Sequence, residues 1–292
     1  MSTTESASPR FADIEYWSAA DLVDGMVEGQ FASIAAVRAA SPAIARGIDA
    51  AVERLSRGGR LIYVGAGTSG RIAAQDAAEL PPTFSWPYER AISVMAGGER
   101  ALLRAAEGAE DNRDMARQAL AALEVAENDV VVALAASGRT PFAIAALDHA
   151  RETGALAIGI FNNPDSKLGA ACDIPILLDT GPEFIAGSTR MKAGTAQKAA
   201  LNCLSTGIMI RLGFVFRGKM VEMRPTNDKL QQRAVTMVAE LADCDAEAAA
   251  SALAAAGGSI KLAVLMLLRS LPPRQAEALL DRHGGNLARA LR

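Results

Sequence analysis

The chain has 292 residues, half of them hydrophobic, and a formal net charge of -3. That is enough for one large domain or two modest ones with a full core. The lack of a basic balance argues against a nucleic-acid partner, while a single phosphorylated metabolite needs only local positive charge. Aromatic residues make up 4%, which favours tightly packed helices over a β-sandwich. The three cysteines, Cys172, Cys203 and Cys244, are far apart and show no metal-ligand spacing. They read as reduced structural thiols of a cytosolic protein. Met1–Ser8 has no basic segment followed by an apolar core, so it does not read as a signal peptide. The apolar runs are too short to span a membrane. We therefore expect a cytoplasmic protein with no metal and no membrane association.

Residues 1 to about 15 are polar and read as a loose arm. Ala19–Val27 reads as a helix capped by Ser18. Ser41-Pro42 opens a second helix, and Gly58-Gly59 stops it. Arg60-Leu-Ile-Tyr-Val-Gly-Ala-Gly-Thr-Ser-Gly-Arg71 then joins a buried strand, Leu61–Val64, to a Gly-rich turn. The following helix is expected to end before Pro81-Pro82. Further strands fall at 91–95, 129–135, 156–161 and 174–178, with helices at 101–106, 113–123 and 141–152 between them. Alternating strands and helices with nearly all-apolar strands predict a five-stranded parallel sheet covered on both faces, an α/β sandwich. Long helices are expected from about Gly187 to Arg211 and from Asn227 to Ala242. Short helices follow, broken at Gly257-Gly258, Pro272-Pro273 and Gly284-Gly285. We place an N-terminal arm and helix at 1–40, a main domain at 41–225 and an all-helical region at 226–292.

Ligands of such sheets sit beyond the carboxyl ends of the strands, where this sequence puts its Gly/Ser/Thr-rich turns. Gly65-Ala-Gly67-Thr68-Ser69-Gly70 fits G-x-G-x-x-G. Yet the next strand ends without the acidic residue that would hold a ribose. Backbone N–H groups at a helix start, with two hydroxyls, suit a phosphate monoester; a dinucleotide loop or a plain structural turn remain open. Ser137-Gly138-Arg139-Thr140 repeats the pattern at the third strand, where its bland reading is a helix cap before Pro141. Glu79 and Glu110 are candidate acid/base groups, because each lies at a break in a segment that follows a strand. Glu183, Ser188, Thr189, Arg190 and Lys192 form a third polar cluster, either an anion site or a capped helix with solvated bases. His149 and His283 read as structural.

Five blocks in order make the sequence specific. They are Gly65–Arg71, Asp76-Ala-Ala-Glu-Leu-Pro-Pro-Thr83, Glu107-Gly-Ala-Glu-Asp111, Ala136-Ser-Gly-Arg-Thr-Pro141 and Gly187-Ser-Thr-Arg-Met-Lys-Ala-Gly-Thr-Ala-Gln-Lys198. Together they resemble the N-acetylmuramic acid 6-phosphate etherases, built on the sugar isomerase (SIS) domain. The resemblance covers roughly residues 58 to 292 and is weaker before them. It implies a SIS-type three-layer sandwich with a five-stranded parallel sheet and a small all-helical C-terminal module. It implies a carbon–oxygen lyase that splits a D-lactyl ether by elimination and hydration in cell-wall sugar recycling. N-acetylglucosamine 6-phosphate and D-lactate would be the products, with no cofactor needed. It makes Glu79 the donor to lactate and Glu110 the group at C2. The Gly67–Ser69 and Ser137–Thr140 turns would hold the phosphorylated amino sugar, together with the 183–192 cluster. SIS-type sites usually lie between subunits, so a homodimer is expected. A phosphosugar aldose–ketose isomerase and a non-catalytic phosphosugar sensor remain as alternatives on the same domain.

Overall fold

The computed structural model describes residues 3–223 and 227–292. The chain divides into two compact units, Met1–Ala78 with Tyr88–Gly207, and Glu79–Pro87 with Ile208–Arg292. These units cut across the boundaries expected from the sequence at 40 and 225. The reason is that two long helices each pass from one unit into the other, a division that composition does not mark.

The first unit opens with three 3₁₀ turns, Thr3–Glu5, Pro9–Phe11 and Ile14–Tyr16. This corrects the expectation of a loose arm. Thr4 is fully buried, and Phe11 packs on Phe184 at 4.7 Å between centroids. Helix α1 spans Ala19–Ala39, capped by the Ser18 side chain on the Asp21 N–H. It is longer than the sequence suggested. A Cβ at Gly25 would sit 3.0 Å from both Phe184 and Trp17, so tertiary packing uses this glycine rather than ending the helix there. Helix α2 is Ser41–Leu55.

Strand β1, Leu61–Gly65, is buried throughout and runs into α3, Gly67–Phe84. Helix α3 carries Pro81 and Pro82 inside it and does not stop before them as expected. A proline removes one N–H bond without forbidding the residues beyond it from helical geometry, and Ser85 N–H still bonds the Pro81 carbonyl at 2.9 Å. There follow β2 (Ala91–Met95), α4 (Arg100–Leu103), α5 (Arg113–Ala122), β3 (Val130–Ala135), α6 (Pro141–Glu152), β4 (Leu156–Phe161), α7 (Lys167–Ala170), β5 (Ile174–Leu177) and α8 (Lys192–Leu212). The strands form one parallel sheet in the order β2-β1-β3-β4-β5. Chain order reverses between β1 and β3, so a crevice opens at their carboxyl ends. Register sets Gly65 beside Leu134, which makes the two Gly/Ser/Thr turns neighbours.

At the opposite end, Arg60 and Asp129 clasp the starts of β1 and β3. Arg60 Nη2 lies 2.6 Å from Asp129 Oδ2, and its Nε donates to Oδ1 at 3.1 Å. The backbone N–H groups of Arg60 and Ala126 donate to the same carboxylate.

The second unit holds a two-stranded antiparallel hairpin, β6 (Val215–Phe216) and β7 (Lys219–Met220), which the sequence did not announce. Its helices are α9 (Asp228–Ala242), α10 (Ala246–Ala255), α11 (Ile260–Arg269), α12 (Pro273–Arg282) and α13 (Leu287–Ala290). They bury one apolar core that includes Val238, Leu253, Ile260, Ala276 and Leu287. The breaks at Gly257, Pro272 and Gly284 fall between helices as expected. Among the described residues no single helix is long and apolar enough to cross a membrane.

Two predictions follow from this packing. A Cβ at Gly70 would meet Gly65 O at 2.7 Å and Met95 Sδ at 2.6 Å. Gly70→Ala is therefore expected to lower stability by about 1–3 kcal/mol through overpacking, read as a lower urea midpoint. Burial pushes the Asp129 carboxyl up, but bonds from Arg60 and the backbone outweigh it and hold the group below 3.8. Its stabilisation is thus present above pH 3.8 and lost as pH falls through the lower folded value. Asp129→Asn should cost about 1–3 kcal/mol at neutral pH. The gap to the parent should narrow as unfolding is measured at pH values falling from 3.8 through that lower folded value.

Candidate active site

The site begins with a contact between two glycines. A Cβ on Gly65 would lie 2.7 Å from Gly70 N and 2.8 Å from its Cα. Only hydrogen fits there, so α3 starts directly against the end of β1. Gly67 opens the turn at φ +54°, the left-handed region that glycine adopts without strain. The first residues of an eighteen-residue helix therefore aim backbone N–H groups and the positive dipole end outward from the sheet. Beside them, the turn after β3 passes through Gly138 at φ +67°. The Ser137 hydroxyl accepts the Arg139 N–H at 3.1 Å. Thr140 precedes α6 without a side-chain cap bond, which leaves its hydroxyl for a ligand.

These turns line one cleft of about 250 Å³ with Gly67, Thr68, Ser69, Glu110, Ser137, Thr140, Thr189 and Glu5 on its walls. A second cleft, about 200 Å³, is lined by Arg71, Met95, Gly108 and again Gly67 and Glu110. Glu110 thus borders both. It rides on a 3₁₀ turn, Ala109–Asp111, that leaves Gly108 at φ +69°, and it is exposed. Arg71 is fixed by donating to the carbonyls of Leu102 and Ala101 at 2.9 and 2.8 Å. Hydroxyls, a helix start and a carboxylate that faces two spaces form an arrangement suited to holding an anion while moving a proton next to it.

Buried side chains hold the walls in place. Ser69 Oγ donates to Gln197 Oε1 at 2.8 Å, Gln197 Nε2 to Asn162 Oδ1 at 3.0 Å, and Asn162 Nδ2 to the Leu178 carbonyl at 2.9 Å. Gln197 and Asn162 are fully buried. This chain links α3, α8 and the ends of β4 and β5. Asn163 donates to the Ala136 carbonyl and to Thr4 Oγ1, while Thr4 N–H and Thr3 Oγ1 donate back to it. That exchange sets Glu5 on the cleft. Deeper in the unit, Tyr63 OH and Asn202 Nδ2 donate to the two oxygens of Asp76 at 2.9 and 2.7 Å. Burial pushes the Asp76 carboxyl up against those bonds, and burial beside Asp76 pushes the Tyr63 hydroxyl well up.

Of the residues expected from the sequence, the cleft gathers Gly67, Thr68, Ser69, Ser137, Thr140, Thr189 and Glu110. Gly138 shapes its turn, and Arg139 is exposed. Glu183 is buried and accepts the N–H groups of Lys192 and Ala193 at 3.1 and 2.9 Å. Its carboxylate therefore meets the start of α8. Burial raises Glu183 and lowers Lys192 from their ordinary values. Ser188 and Arg190 are outside the lining of either cleft. Glu79 is exposed on α3 and belongs to the second unit. Sequence reasoning missed Glu5, Gln197, Asn162 and Asn163. Gln197 lies within the last of the five blocks, and Thr3-Thr4-Glu5 offered hydroxyls beside an acid. Burial is what distinguishes Gln197, Asn162 and Asn163, and a sequence does not display it; Glu5 is exposed and is distinguished by its place on the cleft wall.

A profile of the glucokinase regulatory protein N-terminal SIS domain matches residues 43–151, and a SIS domain profile matches residues 110–206. A phosphoheptose isomerase from Francisella tularensis has the same fold at a TM-score of 0.52 and 22% identity, covering 66% of this chain and 100% of its own. An N-acetylmuramic acid 6-phosphate etherase of Deinococcus radiodurans is 47% identical over 99% of this chain and 94% of its own length. One from Symbiobacterium thermophilum is 49% identical over 91% of this chain and 88% of its own. The likeness reaches the N-terminal stretch that the motifs alone left weak. With near-half identity along almost the whole length of both chains, the protein belongs to the N-acetylmuramic acid 6-phosphate etherase family.

Proposed function

We propose that this protein is a carbon–oxygen lyase that splits N-acetylmuramic acid 6-phosphate into N-acetylglucosamine 6-phosphate and D-lactate. The observation that carries the reading is Glu110, set at the border of a hydroxyl-lined anion cleft and a second cleft. The opened sugar presents an aldehyde, which acidifies the proton at C2. Glu110 takes that proton, and the C3–O bond breaks. Glu79 delivers a proton to the departing lactate oxygen. Water then adds across the C2–C3 double bond, with its hydroxyl going to C3 and its proton to C2. The net change is one water consumed and one ether cleaved, with the aldehyde as the electron sink. The hydroxyls of Thr68, Ser137 and Thr140 and the N–H groups at the α3 start, that of Ser69 among them, hold the phosphate, while the Ser69 hydroxyl stays on Gln197. Thr189 adds a hydroxyl from the loop before α8.

We further infer that the working form is a homodimer with each site completed by the second copy. Thr68 and Glu79 are eleven positions apart on α3, about 16 Å of helical rise. That is farther than a C6 phosphate stands from a C3 ether oxygen. A Glu79 delivered by a second copy removes the conflict. The setting is cytoplasmic, in keeping with three free cysteines.

Incubation with N-acetylmuramic acid 6-phosphate should release D-lactate; intact substrate after prolonged incubation sinks the reading. Glu79→Gln and Glu110→Gln should each lower turnover by roughly 10²–10⁴-fold with unchanged circular dichroism. When the two variants are mixed and allowed to exchange subunits, about a quarter of the parent activity should return, because half the dimers then carry one intact site. No recovery would place both glutamates in one subunit's site.

A further inference from the structure

Helix α1 has two faces. Gly25, Ser33, Ala36 and Val37 point inward and are buried. On the other side, Asp24, Val27, Phe31, Ile34 and Arg38 are all exposed. Phe31 is 72% exposed, Ile34 57% and Val27 54%. Single exposed apolar residues are ordinary, but these fall at spacings of three, four, three and four. That is the narrow stripe of period 3.5 that seats against another helix. The solvated face of a monomer has no reason to keep it.

The charges at the ends of the stripe say what the other helix is. Asp24 and Arg38 each stand seven residues from Phe31, one on each side. Neither has an ion-pair partner among the described residues. A second α1 laid antiparallel, with the two-fold axis near Phe31, brings Val27 alongside the partner subunit's Ile34. It also brings Asp24 alongside the partner subunit's Arg38, and the reverse pair forms by symmetry. A parallel copy would set Asp24 against Asp24 and Arg38 against Arg38. The charge pattern thus favours one orientation and penalises the other. An isologous two-fold contact needs this kind of self-complementarity.

We propose that the exposed face of α1 is the centre of an antiparallel, two-fold interface with a second copy of this chain. The central contact is Phe31 with its two aliphatic neighbours, and the Asp24–Arg38 pairs at each end set the orientation. The proposal extends the dimer reading above and is tested by particle mass. The etherase reading is tested by lactate release, so either can fail without the other.

The test is sedimentation equilibrium on the whole protein over a range of concentrations. Wild type should be dimeric, and Phe31→Asp should raise the dissociation constant by about a hundredfold, since an aromatic anchor is lost from both sides. Asp24→Arg and Arg38→Asp each create two like-charge contacts per dimer, and each should weaken it by roughly tenfold. The double variant D24R/R38D should recover the dimer, and so should an equimolar mixture of the two single variants, which can form only the mixed pair with matched charges. Far-UV circular dichroism checks that each variant is folded. A monomeric wild type, single variants as dimeric as wild type, or a double variant and mixture that stay dissociated each overturns the proposal.

Discussion

The site depends on the approach of Gly65 to Gly70. A strand that ends in glycine, and a helix whose first turn carries another, can come close enough to exclude any Cβ. Their contact seats the start of α3 against the carboxyl end of β1. From that placement come the outward N–H groups and the positions of Thr68 and Ser69. The reversal of strand order between β1 and β3 supplies the other wall. Sheet topology thus makes neighbours of two turns about seventy residues apart in the chain.

Buried polar bonds hold this arrangement more tightly than apolar packing alone. The path Ser69–Gln197–Asn162–Leu178 has each donor facing an acceptor. A shift of α8 or of the loop after β4 would leave buried groups unpaired, at a cost larger than the net worth of each bond. Asn163 does the same for the N-terminal turn, which it ties to the Ala136 carbonyl beside the Ser137–Thr140 turn. Polar groups with partners inside a low-dielectric interior specify one geometry, because the alternatives lose their partners.

Helix α1 shows the same economy of sequence. Its small inward residues let it settle on Trp17 and Phe184, while its outward stripe has a period suited to another helix. One helix carries two patterns in register, so a reading that ended it at Val27 missed its second half.

The sequence by itself determined the α/β class, the five strands, the helical C-terminal region and the two Gly/Ser/Thr-rich turns at the strand ends, and it offered Glu110 as an acid/base candidate. Each is written in local signals: apolar runs of strand length, glycine beside hydroxyls, and proline or glycine at the helix breaks. Only the tertiary structure decided that residues 3–16 form 3₁₀ turns anchored by the buried Thr4, that Glu5 reaches the cleft and that Glu183 meets the start of α8. It also decided that α3 continues through Pro81 and Pro82. The N-terminal turn depends on Asn163, more than a hundred residues away, Glu183 on a loop that folds back onto N–H groups nine and ten positions on, and α3 on packing that holds a helix past a missing N–H. Neither the identity of a distant partner nor the burial of a polar side chain is encoded in local spacing, so both become visible only when the chain has closed on itself.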